Sequence, residues 1–177
     1  MKSIIFYFDK RIKELESEMR FNDSLFYLES LYIKNHSIEI LNSLIGFSWY
    51  YFIEGPIESK RYDKEDTTKS FEYWKKYVDE AINNFYNCEA STLFICGYTL
   101  SLHGFFLEKT YEQKASLFIK QSLENCKDES LFELIKTFQA MSNQKKYKPL
   151  KISDKYVMDL FDTNSLIGKY FIEIYKQ

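Results

Sequence analysis

The chain is poor in the residues that break or staple a fold. Its 177 residues include five glycines and two prolines, too few for an all-β chain that must turn every ~8–12 residues. Cys88, Cys96 and Cys126 are an odd number without a C-x-x-C pair, which gives neither a disulfide framework nor a zinc site. The two histidines, His36 and His103, leave little material for base chemistry near neutral pH. Only Arg11, Arg20 and Arg61 among 24 cations are arginines, and arginine is the residue best shaped to fork a phosphate. A net charge of −2 likewise lacks the basic footprint of a nucleic-acid binder.

Catalytic and ligand motifs are missing too. No glycine-rich phosphate cradle occurs. Ile33 and Leu100 stand where the Glu of a Glu-x-x-His metal pattern would precede each histidine. Cys96 and His103 share a helical face but stand about 10 Å apart at ~1.5 Å per residue, too far for a nucleophile and its base. His103 therefore reads as a hydrogen-bonded core histidine, and His36 as an exposed or capping one. The residues point to a protein that is not an enzyme and uses no cofactor or metal.

Long apolar runs are scarce as well. Ile4–Phe8 is cut off by Asp9, Lys10 and Arg11 before a signal peptide forms. The longest uncharged stretch, residues 90–107, is 18 long, short of the ~20 apolar residues of a span, and it carries Ser91, Thr92, Thr99, Ser101 and His103. It reads as a buried central helix. The expectation is a soluble cytoplasmic protein without membrane contact.

What is abundant is aromatic and helical. Hydrophobic residues make up 45% and aromatics 19%, with 16 Phe and 15 Tyr, whereas alanine occurs only at 81, 90, 115 and 140; this bias fits an AT-rich gene. Apolar positions recur at helical spacing: Ile4, Phe8, Ile12, Leu15 and Met19; Leu25, Leu28 and Leu31; Ile38, Leu41, Ile45, Trp49 and Phe52 after a Ser37 cap. Gly55-Pro56 reads as a helix stop, opening a charged loop over residues 55–66. Helices then start at Thr67 or Thr68, near Ser91, at a Thr110-x-x-Gln113 capping box, after Asp128, after Ser153, and near Leu166. The run 144–149 (QKKYKP) closes the helix that begins at Asp128.

The expectation is one all-α domain over residues 1–177, with eight or nine helices packed as antiparallel hairpins. Ser24, Thr67, Thr110 and Ser153 lie 43 residues apart, and Leu31, Trp74, Leu117 and Leu160 follow each by seven. That period suits a solenoid of stacked hairpins, but the segments share little outside those columns, and a compact antiparallel array without repeats is the reading preferred.

The remaining signal is a surface. Residues 1–100 carry net charge −4 and residues 101–177 carry +2. The acids concentrate around WYYFIEGPIESKRYDKED, where the helical face defined by Trp49 and Phe52 leaves Tyr50 pointing outward. Tyrosine anchors and steering carboxylates suit a cationic protein partner. Tyr50, Glu54, Glu58, Tyr62, Asp63, Glu65 and Asp66 are the candidate partner-binding residues.

In length, mild acidity, lack of catalytic motifs and this aromatic-acidic stretch, the chain resembles the small all-helical immunity proteins of bacterial contact-dependent growth inhibition and other polymorphic-toxin systems. The resemblance implies a cytoplasmic protein that binds a cognate toxin domain, a basic nuclease such as an RNase or tRNase, and occludes its active site. Direct binding of nucleic acid is not implied. A helical-repeat adaptor with a concave peptide-binding face is the alternative.

Overall fold

A computed structural model of the chain describes residues 5–58, 63–84, 89–142 and 152–176. Among the described residues there are nine α-helices and no strand. They are α1 (Lys10–Ser17), α2 (Phe21–Asn35), α3 (Ile38–Glu58), α4 (Lys64–Asn83), α5 (Ala90–His103), α6 (Lys109–Asn125), α7 (Glu129–Ser142), α8 (Asp154–Phe161) and α9 (Leu166–Tyr175). A 3₁₀ turn, Gly104–Phe106, follows α5. No helix among the described residues is long and apolar enough to cross a membrane.

Side-chain bonds fix the helix directions. Asn22, early in α2, donates to Asp66, early in α4, at 2.7 Å, and Tyr32, late in α2, donates to Glu80, late in α4, at 2.7 Å. Those two helices therefore run parallel. Helix α3 returns between them, because Tyr51 in its second half meets Ser24 near the start of α2 at 3.1 Å. Helices α3 and α5 are parallel in turn: Asn42 bonds Ser91 at 3.1 Å, and Trp49 bonds His103 at 3.1 Å. Helix α6 runs back along α5, its Ser122 donating to the Ala90 carbonyl at 2.6 Å. The result is an up-and-down succession of hairpins.

Helix α5 is the buried centre. Every residue from Ala90 to Leu100 is buried, as the uncharged run demands: such a helix finds no water on any face. Helix α3 is buried all round from Ile40 to Tyr51, since α2, α4, α5 and α9 all pack against it. Phe94, Phe138, Phe161 and Phe171 form the aromatic centre of the core, with Phe161 stacked on Phe171 at 4.8 Å. At roughly 1.5–3 kcal/mol for each large side chain taken from water, these rings do much of the holding.

The structure departs from the sequence expectation in several places. Phe8 and Ile12 do not share a helix, since α1 starts at Lys10; Ile4 lies outside the described residues, and residues 5–9 form a strap whose Ile5 and Phe6 are fully buried. Asp9 caps α1 by accepting from the Ile12 N–H at 2.9 Å. The strap's own backbone is satisfied by Asn42, which donates to the Ile5 carbonyl at 3.0 Å, and by Ser43, which donates to the Tyr7 carbonyl at 2.9 Å. Phe6 lies against Gly46, where an added Cβ would come within 2.6 Å of its ring.

Gly55-Pro56 is not a stop. Pro56 lies inside α3, two residues before its last residue, and has no N–H to donate to the Phe52 carbonyl. The charged loop over 55–66 shrinks accordingly, because α4 begins at Lys64. Asp63 caps it, accepting from the N–H groups of Glu65 at 2.8 Å and Asp66 at 3.0 Å. The Thr110 capping box is also displaced, since α6 opens at Lys109 behind Glu108. Finally, His36 ends α2 in a left-handed conformation at φ 44°.

The cap residues assigned from sequence shift, although the N-caps of α2, α4, α6 and α8, Arg20, Asp63, Glu108 and Ser153, still stand 43, 45 and 45 residues apart. Ser24, Thr67 and Thr110 lie within helices, and only Ser153 of the four is a cap, accepting from the Tyr156 N–H at 3.2 Å. The apolar column is inconsistent as well: Trp74 and Leu160 are buried but Leu117 is 47% exposed. A spacing in the forties does relate α2 to α4 as parallel neighbours, but Asp79 of α4 meets Tyr111 of α6 only 32 residues on. Caps at Ser37 and Asp128 stand where the sequence places them. The stretch 144–149 lies outside the described residues.

Candidate functional site

Many of the protein's surface acids are already engaged, and the partners are tyrosines. Tyr7 and Tyr27 both donate to Asp9, at 2.9 and 2.8 Å. Tyr73 and Tyr77 donate to Glu29 at 2.9 and 2.8 Å, and Lys76 completes that site at 2.6 Å. Tyr32 donates to Glu80, Tyr111 to Asp79 and Tyr156 to Asp128. Burial opposes charge on Glu29, but Lys76 and the two phenols outweigh it and hold the carboxyl below its ordinary range. Burial and the same carboxylate raise Tyr73 and Tyr77 far above the usual phenol value. These pairs bolt helices together, α2 to α4 above all, so much of the tyrosine and acid content is structural.

The predicted site residues separate on this basis. Asp63 is spent as the α4 cap. Glu65 pairs with Lys69 at 2.8 Å on its own helix. Asp66 accepts from Asn22. Tyr50 does not lean outward: it is 7% exposed, because α3 is enclosed on all sides and has no outward face at that level. Tyr62 and the side chain of Glu58 lie outside the described residues. Among the described members of the set, Asp63, Glu65 and Asp66 cluster at the start of α4, and Tyr50 and Glu54 come together elsewhere.

They meet at an open groove of about 360 Å³ between α3 and α9, lined also by Leu166, Lys169, Tyr170, Glu173 and Ile174. The α9 residues recur at helical spacing of three and four, so they form one stripe of that helix, while Ile167 and Phe171 on the other side enter the core. Tyr50 and Tyr170 meet edge to face at 5.8 Å. Tyr170 is fixed from behind by the Tyr98 hydroxyl at 3.1 Å, and burial raises its phenol, with the Glu54 carboxylate adding to the effect. Among the described residues, no hydrogen bond or ion pair reaches the carboxylates of Glu54 or Glu173.

The α9 wall is set in place by a buried carboxyl. Glu16 of α1 accepts from Tyr51 at 2.7 Å through one oxygen and from the Leu166 N–H, the first residue of α9, at 3.2 Å through the other. Burial pushes this carboxyl up to about 7, against the lowering influence of Tyr51, Leu166 and Lys169. Gly168 lets α9 start hard against the end of α8, since a Cβ there would fall 1.9 Å from the Phe161 carbonyl.

His103 is employed structurally, as its sequence context implies. Its Nδ1 accepts the Trp49 indole N–H at 3.1 Å, and burial lowers its pKa from the ordinary value. Cys96 is buried, and Cys126 donates to the Asp128 carbonyl at 3.3 Å. Among the described residues, no group of three or more His, Cys, Asp or Glu is placed to hold a metal ion. The α9 half of the groove escaped the sequence reading. Its signal was the polar interruption of an apolar helix by Lys169 and Glu173, three and seven residues after Leu166. Neither a family model, nor a curated protein sequence, nor a solved structure matches this chain.

Proposed function

We propose that this chain is an immunity protein that binds a cognate toxin domain, a basic nuclease, and neutralises it by covering its active site. The observation that supports the reading is the α3–α9 groove, where Glu54 and Glu173 keep their carboxylates uncommitted beside tyrosine walls. Many other acids of the fold are held by phenols and lysines, whereas these two line one groove together. Long-range attraction by such charges speeds encounter with a basic partner, and desolvated aromatic area slows its escape. Among the described members of the sequence-derived set, Tyr50 and Glu54 belong to this surface, and Asp63, Glu65 and Asp66 serve α4.

The test is co-expression with the protein encoded immediately upstream of the gene, together with the association rate of the two purified proteins across a salt series. The wild-type chain restores growth and associates faster at low salt. The E54K/E173K variant, folded by near-ultraviolet circular dichroism, loses protection, and its association rate becomes much less sensitive to salt. Full protection by that variant would reject this face as the binding site. Absence of binding by the wild-type chain would reject the function.

A further inference from the structure

The groove's chemistry names the group that enters it, on the footing of the neutralising role above. Two carboxylates, Glu54 on α3 and Glu173 on α9, face a space walled by the rings of Tyr50 and Tyr170 and by the aliphatic side chains of Leu166 and Ile174. Lys169 supplies the one cation of the lining, and its field is shared with the buried Glu16. The lining thus carries one net negative charge, which repels phosphates and carboxylates and favours a cation.

Size and shape restrict that cation further. A volume of about 360 Å³ lies at the small end of the ~300–1,000 Å³ of ligand pockets, enough for one long side chain. Aromatic faces attract cations, and a planar guanidinium stacks on them while keeping its fork of N–H donors for carboxylates. An ammonium is more strongly hydrated and offers no flat face, so it gives up more on entry. The rings are already held: Tyr170 by the Tyr98 hydroxyl and Tyr50 by its burial. Binding therefore orders little that is not ordered beforehand, which is the cheapest way to gain affinity.

We infer that the α3–α9 groove receives an arginine side chain of the partner protein, its guanidinium held by Glu54 and Glu173 against the rings of Tyr50 and Tyr170 and its stem resting on Leu166 and Ile174. The occlusion is then anchored by a single inserted residue, and a basic nuclease whose arginine is committed in this way loses a phosphate-binding group.

The probe is N-acetyl-arginine methylamide, titrated into the full chain labelled on its tyrosine rings. Signals of Tyr50 and Tyr170 are assigned through Y50F and Y170F. Saturable shifts of those two rings are expected, with a Kd on the order of 1 mM for so small a ligand. The lysine analogue binds several-fold more weakly, and the uncharged citrulline analogue does not saturate. The E54Q/E173Q variant weakens arginine binding at least about tenfold while the remaining tyrosine signals stay in place. No saturable shift, equal binding of lysine or citrulline, or unchanged affinity in E54Q/E173Q would each overturn the inference. The two readings fail separately. Loss of protection in E54K/E173K without arginine binding removes the arginine and leaves the neutralising role, whereas arginine binding without any toxin partner does the reverse.

Discussion

Replacing Glu16 by glutamine should flatten the pH dependence of stability, and the structure gives both sign and size. The carboxyl is buried at 8% exposure, and its pKa stands at about 7 against an ordinary 4.5. Between those values the folded chain keeps a proton that the unfolded chain has released. The stability this group contributes is therefore fully present below about pH 4.5 and is lost as pH rises through 7. At about 1.4 kcal/mol for each tenfold step in acidity, the loss is about 3 kcal/mol, a large share of an ordinary domain's ~5–15 kcal/mol.

The protonated form has somewhere to put its proton. A hydrogen on the Glu16 oxygen facing Tyr51 can be donated to that phenol, Tyr51 can donate to Ser24, and Ser24 donates to the Phe21 carbonyl at 2.8 Å. The glutamine of the E16Q variant reproduces this arrangement at every pH, its amide N–H facing Tyr51 and its carbonyl accepting from Leu166. Urea unfolding of wild type and E16Q at pH 5, 6, 7 and 8, followed by the fluorescence of buried Trp49 and Trp74, measures the effect. The two proteins should differ by less than about 1 kcal/mol at pH 5, and E16Q should lead by about 2–3 kcal/mol at pH 8. Because His103 titrates in both proteins, its contribution cancels in the difference. Parallel pH profiles would refute the reasoning.

Three further outcomes are expected. Gly168→Ala places a methyl group on the Phe161 and Asp162 carbonyls; it should cost more than about 3 kcal/mol, lowering the thermal midpoint by many degrees in a calorimetric scan. Asp63→Ala removes the α4 cap and should cost about 1 kcal/mol by urea denaturation, with E65A, an exposed pair, nearly neutral. Glu29→Gln removes the charge and one of the two oxygens that accept from Tyr73, Tyr77 and Lys76, and should lose about 1–3 kcal/mol at pH 7. Glu29 has a depressed pKa, so that loss should shrink as pH falls below the ordinary carboxylate range; denaturation midpoints at pH 3.5 and 7 check it.

The sequence reveals helices where charge and apolar spacing agree, and misleads where burial is two-sided. Helix α5 announces itself through 18 uncharged residues. The 14 uncharged residues from Ile40 to Ile53 carry the same message for α3, but assigning that helix a single buried face turns Tyr50 outward. Pro56 reads as a terminator, yet α3 carries it two residues before its last residue. Phe8 and Ile12 fit a helical stripe, yet Asn42 and Ser43, more than thirty residues away, supply the bonds that hold residues 5–9 as a strap. The groove was half legible for the same reason. Tyr50 and Glu54 share a helix turn, whereas Glu173 joins them only through the packing of α9 on α3, which no local pattern encodes.

The strap also has a consequence for the order in which the molecule assembles. The Ile5 amide bonds the Leu160 carbonyl at 3.4 Å, and Glu16 reaches Leu166, 150 residues further on. Residues that leave the ribosome early thus find their partners among those that leave it late. Phe6 has no complete pocket until Phe161 and Phe171 have emerged, so closure waits for α8 and α9. A ribosome stalled before α8 would carry a sticky nascent chain, one that chaperones must shield until strap and pocket meet.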